Sequence, residues 1–472
     1  MRATSLLLII IIALFAGCST RDGKRQVSAN RIINRIALTE SENNILRVNA
    51  AIDLKTDAAL ELNYYKESDP EHVLTAKISP SSKKHMVTLL LLEEKTKYKF
   101  NVTATTAKTY ATSEEYEFTT GALPPWMPEY ELVTDKLEKK PEGYIHIGQK
   151  EGAGYLILLN YQGKIVWYEK LGTGINVSSF DPRTGTFACI VGNNPDRIYA
   201  GSEIIIVDLY GNIQMRRQNT SFANPLFHHD IQRLENGNLI VVNCVAKDFD
   251  LSPVGGKANQ TVWGDGYTVY GPKGEVVSTW DIFNEISPLD DANILGIGIN
   301  EANYPVVYDW AHANTITVDT DGNYLMCFKQ LNQVWKIDSK TGKVFYRLGL
   351  NGNIELDPRY LTQGVHSVHR DRQGNLLFFD NGLFRGESRA LSFQVDTANR
   401  KAMLVKEIVL PKAYFSRAQG SVYLLDDNRY LFGSSISQSI LITDSEGEIL
   451  WNCTSSHVFY RAVPIDPINL NS

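Results

Sequence analysis

Apolar and polar residues alternate at a period of two along much of the chain from about residue 31 onward. Leu60-Glu61-Leu62-Asn63-Tyr64 and Tyr98-Lys99-Phe100-Asn101-Val102 are instances, and polar turn clusters separate such runs up to residue 122. A period of two sends successive side chains to opposite faces of a strand, so residues 31–122 predict a small antiparallel β-sandwich. Pro124, Pro125 and Pro128 then make a stiff boundary. Beyond it a longer unit repeats: an apolar strand, a turn rich in Asp, Gly and Asn, a second strand, and later a turn leading into an aromatic strand. First turns read Glu235-Asn236-Gly237-Asn238, Asp321-Gly322-Asn323 and Gln373-Gly374-Asn375. Second turns read Gly163-Lys164-Ile165-Val166-Trp167, Gly211-Asn212-Ile213, Gly274-Glu275-Val276-Val277, Gly342-Lys343-Val344-Phe345 and Gly447-Glu448-Ile449-Leu450-Trp451. Gly and Asn suit the positive dihedrals of tight hairpins. Six units result, at 142–170, 176–218, 228–281, 310–348, 366–408 and 419–452, with Asp396 to Arg400 as the outer turn of the fifth. Short strands repeating without helices bury their faces by stacking around an axis. The expected fold is therefore all-β, a six-bladed β-propeller over 125–472 behind the sandwich. The long insert Ile282–Val307 is predicted to cross one face as a loop, and is long enough to hold strands of a seventh blade.

Within the first module, Leu92-Glu93-Glu94-Lys95-Thr96-Lys97-Tyr98 resembles the tyrosine-bearing corner of immunoglobulin-like and fibronectin type III modules. His72 and His85 lie among charged residues there and read as solvated. The first residues read as a processing signal. Arg2 precedes an apolar run, Leu6 to Ala16, too short to span a bilayer, which ends in Leu14-Phe15-Ala16-Gly17-Cys18. That ending resembles a bacterial lipobox. Residues 1–17 are then a lipoprotein signal peptide, Cys18 the acylated lipid anchor and 18–30 a polar tether. The expected location is the cell envelope, attached to a membrane. A net charge of −6 argues against a nucleic-acid surface. Cys189, Cys244, Cys327 and Cys453 show no metal-site spacing and read as buried free thiols, although an oxidising compartment permits disulfides.

The histidines carry the chemistry. His229 and His366 each precede a first-turn glycine by eight residues, Gly237 and Gly374, and His312 precedes Gly322 by ten. All three begin the first strand of a blade, and even offsets predict one shared strand face at the mouth of the central channel. Gly420 stands at the matching place in the sixth unit, where it leaves room for a ligand. His228 and His369 are secondary or structural neighbours, and His146 and His457 fall outside the register. Trp310 and Asn314 flank His312 at two residues, Asp230 follows His229, Lys329 lies on the return strand, and Arg385 and Arg389 follow Asp380-Asn381-Gly382. Trp310, Tyr308 and Phe227 are candidate aromatic walls.

Five segments carry a family resemblance: His228-His229-Asp230, Asp309-Trp310-Ala311-His312-Ala313-Asn314, Gln363-Gly364-Val365-His366, Phe379-Asp380-Asn381-Gly382 and Ser388-Arg389-Ala390. Their order and spacing resemble the bacterial arylsulfate sulfotransferases that need no nucleotide sulfate donor. The resemblance implies a ping-pong transfer from an aryl sulfate to a phenol, with no cofactor and no metal. It puts the nucleophile, which becomes sulfohistidine, on His366 and the general acid/base on His229. Sulfuryl and leaving-group stabilisation fall on His312, Asn314 and Lys329, and substrate binding on Trp310, Tyr308 and Arg389. Lys329 departs from the family pattern, which has an arginine there; lysine keeps the charge and loses the bidentate fork. Two other readings stay open, a metal-dependent propeller hydrolase or lyase with three histidine ligands, and a non-catalytic surface-binding propeller.

Overall fold

The predicted turns are built by the residues that announced them. Asn160 Oδ1 accepts from the N–H groups of Gln162 and Lys164, the Asp208 carboxylate from Tyr210 and Asn212, and Asp444 from Glu446 and Glu448. Three residues after each, Gly163, Gly211 and Gly447 take φ of 73°, 85° and 90° and donate back to the leading carbonyl. A side chain with a Cβ is strained there, so the Asx-x-x-Gly spacing ends one strand and begins the next.

A computed structural model describes residues 20–41, 44–150, 153–193, 200–218, 226–291, 294–299 and 307–470. Residues 1–17, read from sequence as a signal peptide, and Cys18 lie outside the described residues. The chain divides into two units between Ala122 and Leu123. Asn469 and Leu470 group with the N-terminal unit, so the propeller unit ends at Ile468 rather than at residue 472. In the N-terminal unit the long strands Asn44–Lys66 and Asp69–Leu89 pair with each other, and Ile33–Ser41 and Lys97–Thr105 flank Asn44–Lys66. Tyr98 is buried and its hydroxyl accepts from the Glu93 N–H at 2.8 Å, the corner expected from sequence. Two expectations change. Lys24–Gln26, read as tether, is a strand parallel to Thr109–Thr112, because an edge strand offers free backbone groups to any nearby chain. His85, read as solvated, is buried and its Nε2 lies 3.0 Å from the Ala58 carbonyl and 2.9 Å from that of Ser82. It bridges the place where the long strand pair shifts register.

The propeller has six sheets. Blades two to six each run from an inner to an outer strand in chain order, beginning with Ile175–Asp181, Leu226–Arg233, Ala313–Val318, Val365–Arg370 and Ser421–Leu424. Blade one takes its innermost strand, Ala462–Ile465, from the end of the chain, paired with Tyr144–Gln149. Tyr130–Asp135 adds a fifth strand to the outer edge of blade six. The insert is not an open loop. It holds three short 3-10 turns, and Gly298–Ile299 and Val307–Asp309 extend the sheet of blade three. Among the described residues it makes no seventh blade.

Apolar residues of facing sheets form the cores between blades, and tryptophans join them. Trp167 of blade one donates its indole N–H to the Leu209 carbonyl in the second turn of blade two, at 2.8 Å. Trp280 of blade three reaches the Gly342 carbonyl of blade four at 2.9 Å, and Trp451 of blade six reaches Tyr161 of blade one at 3.0 Å. Cys189, Cys244, Cys327 and Cys453 are buried free thiols.

Candidate active site

At one end of the channel the inner strands break register in the same region, between Phe227 and Ile231, Ala313 and Thr315, and His366 and His369. Four non-glycine residues there take left-handed backbone: His229 (φ 57°), His312 (50°), Ser367 (58°) and Gln419 (60°). Each such residue costs on the order of 1–3 kcal/mol and is held by its surroundings. The even offsets therefore assumed a regular pleat that these strands do not keep. Bulges, not an unbroken pleat, turn these side chains into the channel.

Two of the three histidines touch, and the third is within electrostatic reach of one of them. The rings of His229 and His312 lie 4.9 Å apart, centroid to centroid. His366 is close enough to both Lys329 and His312 for their charges to oppose its protonation. Burial is the larger cause, and together these effects pull the His366 imidazole down to about 3.

His366 is also fixed in tautomer. Its Nδ1 lies 2.6 Å from Asn381 Oδ1 and 3.2 Å from the Gly364 carbonyl, both acceptors, so Nδ1 carries the hydrogen. The amide cannot be reversed, because Asn381 Nδ2 donates to the carbonyls of Ser416 (2.6 Å) and Gln419 (2.8 Å). Nε2 of His366 is left with its lone pair. Asn381 was quoted in a motif but given no role by sequence; the signal was its place beside Asp380, whose carboxylate accepts from the Gln363 N–H at 2.7 Å.

His312 is buried and donates Nδ1–H to the carboxylate of Asp309, itself buried. Lys329 follows the strand Tyr324–Phe328 rather than lying in it, and its N–H donates to the His312 carbonyl at 3.1 Å. Burial lowers the pKa of its ammonium group, and Asp309 partly offsets that. Asn314 is fully buried; its Nδ2 donates to the Val365 carbonyl at 2.7 Å, next to the nucleophile candidate. His229 is half-buried beside His228, their Nδ1 atoms 2.6 Å apart.

Under the histidines lies a polar floor that the sequence reading missed. Arg461 pairs with Asp230 at 3.0 Å and donates to the Asn314 carbonyl at 2.7 Å, and Tyr460 donates to the same carbonyl at 3.2 Å. Both residues sit in the C-terminal tail, and only closure of blade one brings them to the axis. A cavity of about 80 Å³ opens beside His229, lined by Lys150, Asn176, Gln419, Val458, Phe459 and Tyr460.

Other candidates lie elsewhere. Trp310 is buried in the blade core, stacked on Phe283 at 5.6 Å, with its N–H on Asp291 at 3.0 Å. Phe227 is core as well. Arg389 donates to Asp380 (2.9 Å), Glu407 (2.7 Å) and two carbonyls, an anchor beneath Asn381 rather than a group facing the histidines. The Tyr308 side chain lies outside the described residues. Gly420 does not leave space for a ligand: its φ is 103°, and a Cβ there would meet the Phe379 ring at 2.6 Å. His146 is buried, with Nε2 2.8 Å from Ser178 Oγ, and burial pulls it down to about 4. Among the described residues no group of three or more His, Cys, Asp or Glu side chains is arranged to hold a metal ion.

A family model described as arylsulfotransferase matches residues 130–440. No curated protein matches the chain. Among solved structures, the chain resembles a protein of unknown function from Bacteroides caccae, at 14% identity over 69% of this chain and 99% of that one, with a TM-score of 0.42. An inactive variant of virginiamycin B lyase from Staphylococcus aureus, bound to quinupristin, matches at 12% identity over 69% and 99%, with a TM-score of 0.33. An auxiliary nutrient binding protein from Bacteroides ovatus matches at 11% identity over 93% and 92%, with a TM-score of 0.35.

Proposed function

The chain belongs to the arylsulfotransferase family, and from that premise we propose that it carries a sulfuryl group from an aryl sulfate to a phenol through a covalent intermediate on His366. Nε2 of His366 attacks sulfur while the bond from sulfur to the aryl oxygen breaks. The leaving phenolate takes a proton from His229. An acceptor phenol then returns a proton to His229 as its oxygen displaces Nε2 from sulfur, so protons balance over the cycle. Splitting the transfer in two replaces one difficult displacement with two easier ones.

The observation that supports this reading is the state of His366: neutral, hydrogen-bonded through Nδ1 to Asn381 so that Nε2 keeps its lone pair, and within electrostatic reach of Lys329 and of His312, whose ring lies against that of His229. His312 and Lys329 supply donors for the sulfuryl and leaving oxygens; loss of one such donor typically costs on the order of a hundredfold in rate. Asn314 supports them, holding the Val365 carbonyl with one N–H and keeping the other for a sulfuryl oxygen. Val458, Phe459 and Tyr460 offer the apolar wall for a phenol ring. The ending Leu14-Phe15-Ala16-Gly17-Cys18 supports export and a lipid anchor at Cys18, with small molecules as the partners at the site.

The test is a chromogenic aryl sulfate with and without phenol. Phenol should accelerate release of the coloured phenolate, a chelator should leave the rate unchanged, and intact mass after donor alone should show one sulfuryl adduct on His366. His366→Asn should abolish turnover and adduct. Normal turnover in that variant overturns the assignment and favours a binding propeller or another nucleophile; loss of activity to a chelator favours the metal-dependent hydrolase or lyase.

A further inference from the structure

Asp265 has no part in the steps above. It lies in the third strand of blade three, fully buried, between Gly264 and Gly266. A Cβ at Gly266 would meet the Trp280 carbonyl oxygen at 1.9 Å and one at Gly264 the Phe283 ring at 2.7 Å, so the backbone on both sides is tightly packed. One carboxylate oxygen, Oδ2, accepts the N–H of Ala313, the residue after His312, at 2.7 Å. The other, Oδ1, lies 2.9 Å from Nε2 of His228, an ion-pair approach rather than a well-aligned hydrogen bond. His228 is fully buried, and its Nδ1 lies 2.6 Å from Nδ1 of His229. A continuous line of polar atoms therefore runs from the core of blade three to the general acid/base.

With His228 neutral, the chemistry along that line has one consistent assignment. A carboxylate only accepts, so His228 carries its hydrogen on Nε2. Nδ1 of neutral His228 is then an acceptor, and Nδ1 of His229 must donate to it. That leaves Nε2 of His229 on the substrate side. With a proton on Nε2 it is the acid for the leaving phenolate; without one it is the base for the incoming phenol. We infer that Asp265 and His228 are positioning residues that hold His229 in its Nδ1–H tautomer and stabilise its positive charge when Nε2 takes the proton. The logic is that of a buried aspartate behind a catalytic histidine, here with a second imidazole between them. The inference rests on the proposed role of His229 as acid and base. Its other titratable neighbours are His312 with Asp309, Tyr460 at 6.0 Å and Lys150 on the cavity wall.

Asp265→Asn tests it in the full chain. Asparagine keeps an oxygen for the Ala313 N–H and the same volume, but it turns an amide N–H toward Nε2 of His228. His228 must then carry its hydrogen on Nδ1 and donate to His229, whose lone pair toward substrate is lost. With 4-nitrophenyl sulfate, whose leaving group needs no proton, the sulfuryl adduct on His366 should form within about threefold of the unaltered rate. Transfer onward to phenol should fall on the order of a hundredfold near neutral pH. The deficit should shrink as pH approaches about 10, where a phenol ionises unaided. His228→Asn should show the same selective loss. Nitrogen-15 shifts of His229 in the unaltered protein give a reading that needs no variant, and should put the hydrogen on Nδ1. An unchanged rate and pH profile in Asp265→Asn, equal loss in both half-reactions, or a hydrogen on Nε2 of His229 each overturns the inference. Absence of any His366 adduct in the unaltered protein strikes the proposed function instead.

Discussion

His366 is a buried, neutral ring because a protonated one has nowhere to place its charge. Burial removes the solvent, and Lys329 already supplies a positive charge. The donor half-reaction should therefore be insensitive to acid. Release of nitrophenolate in the first turnover, followed by rapid quench, should change by less than about threefold between pH 5 and 7. An imidazole at its ordinary value near 6.5 would lose roughly twentyfold over that range. A steep acid limb in that single step would mean that His366 titrates normally. The residue types and their approximate register were legible in the sequence, since three histidines stand at matching places in successive units. The neutral state of His366 was not. It depends on Asn381 and Lys329, 15 and 37 residues away in sequence, and on the exclusion of water.

The elements are held to one another by few but repeated contacts. An aromatic strand after several of the second turns was visible in the sequence, but not that three of the tryptophans reach a turn of the next blade. Trp167→Phe should keep most of the apolar packing and remove the indole donor from the buried Leu209 carbonyl. The expected cost is about 1–3 kcal/mol, measured by chemical denaturation, with no change in the sulfuryl-transfer rate. A loss well below that range would mean that water replaces the indole. The Gly420 reading failed at this scale too. Matching positions in a repeat suggest matching roles, yet the Phe379 ring of the preceding blade occupies the space, and that close approach together with the backbone dihedral explains the glycine.

At the scale of the molecule, the ring is closed twice, by Ala462–Ile465 inside blade one and Tyr130–Asp135 outside blade six. A chain ending at Arg461 keeps the arginine but loses the strand that pairs with Tyr144–Gln149, leaving its backbone groups and apolar face exposed. Such a chain should lose its cooperative thermal transition by circular dichroism, together with its activity. A transition within about 3 °C of the full chain would mean that the closure is not needed for stability. The floor of the site depends on the same event, because Tyr460 and Arg461 reach Asn314 only when the terminus returns to the first blade.

Alternation at a period of two, Asx-x-x-Gly turns and their recurrence determined the strands, the propeller and the blade count, because those are local preferences written into neighbouring residues. The same pattern brought His229, His312 and His366 into view. What only the tertiary structure decided is how each side chain faces and in which protonation state. Left-handed residues interrupt the pleat at the histidines, partners outside their regular strand pairing choose their tautomers, and a segment from the far end of the chain supplies Tyr460 and Arg461. Those are long-range effects of packing and desolvation, and a linear pattern carries no record of which distant groups will share a buried space.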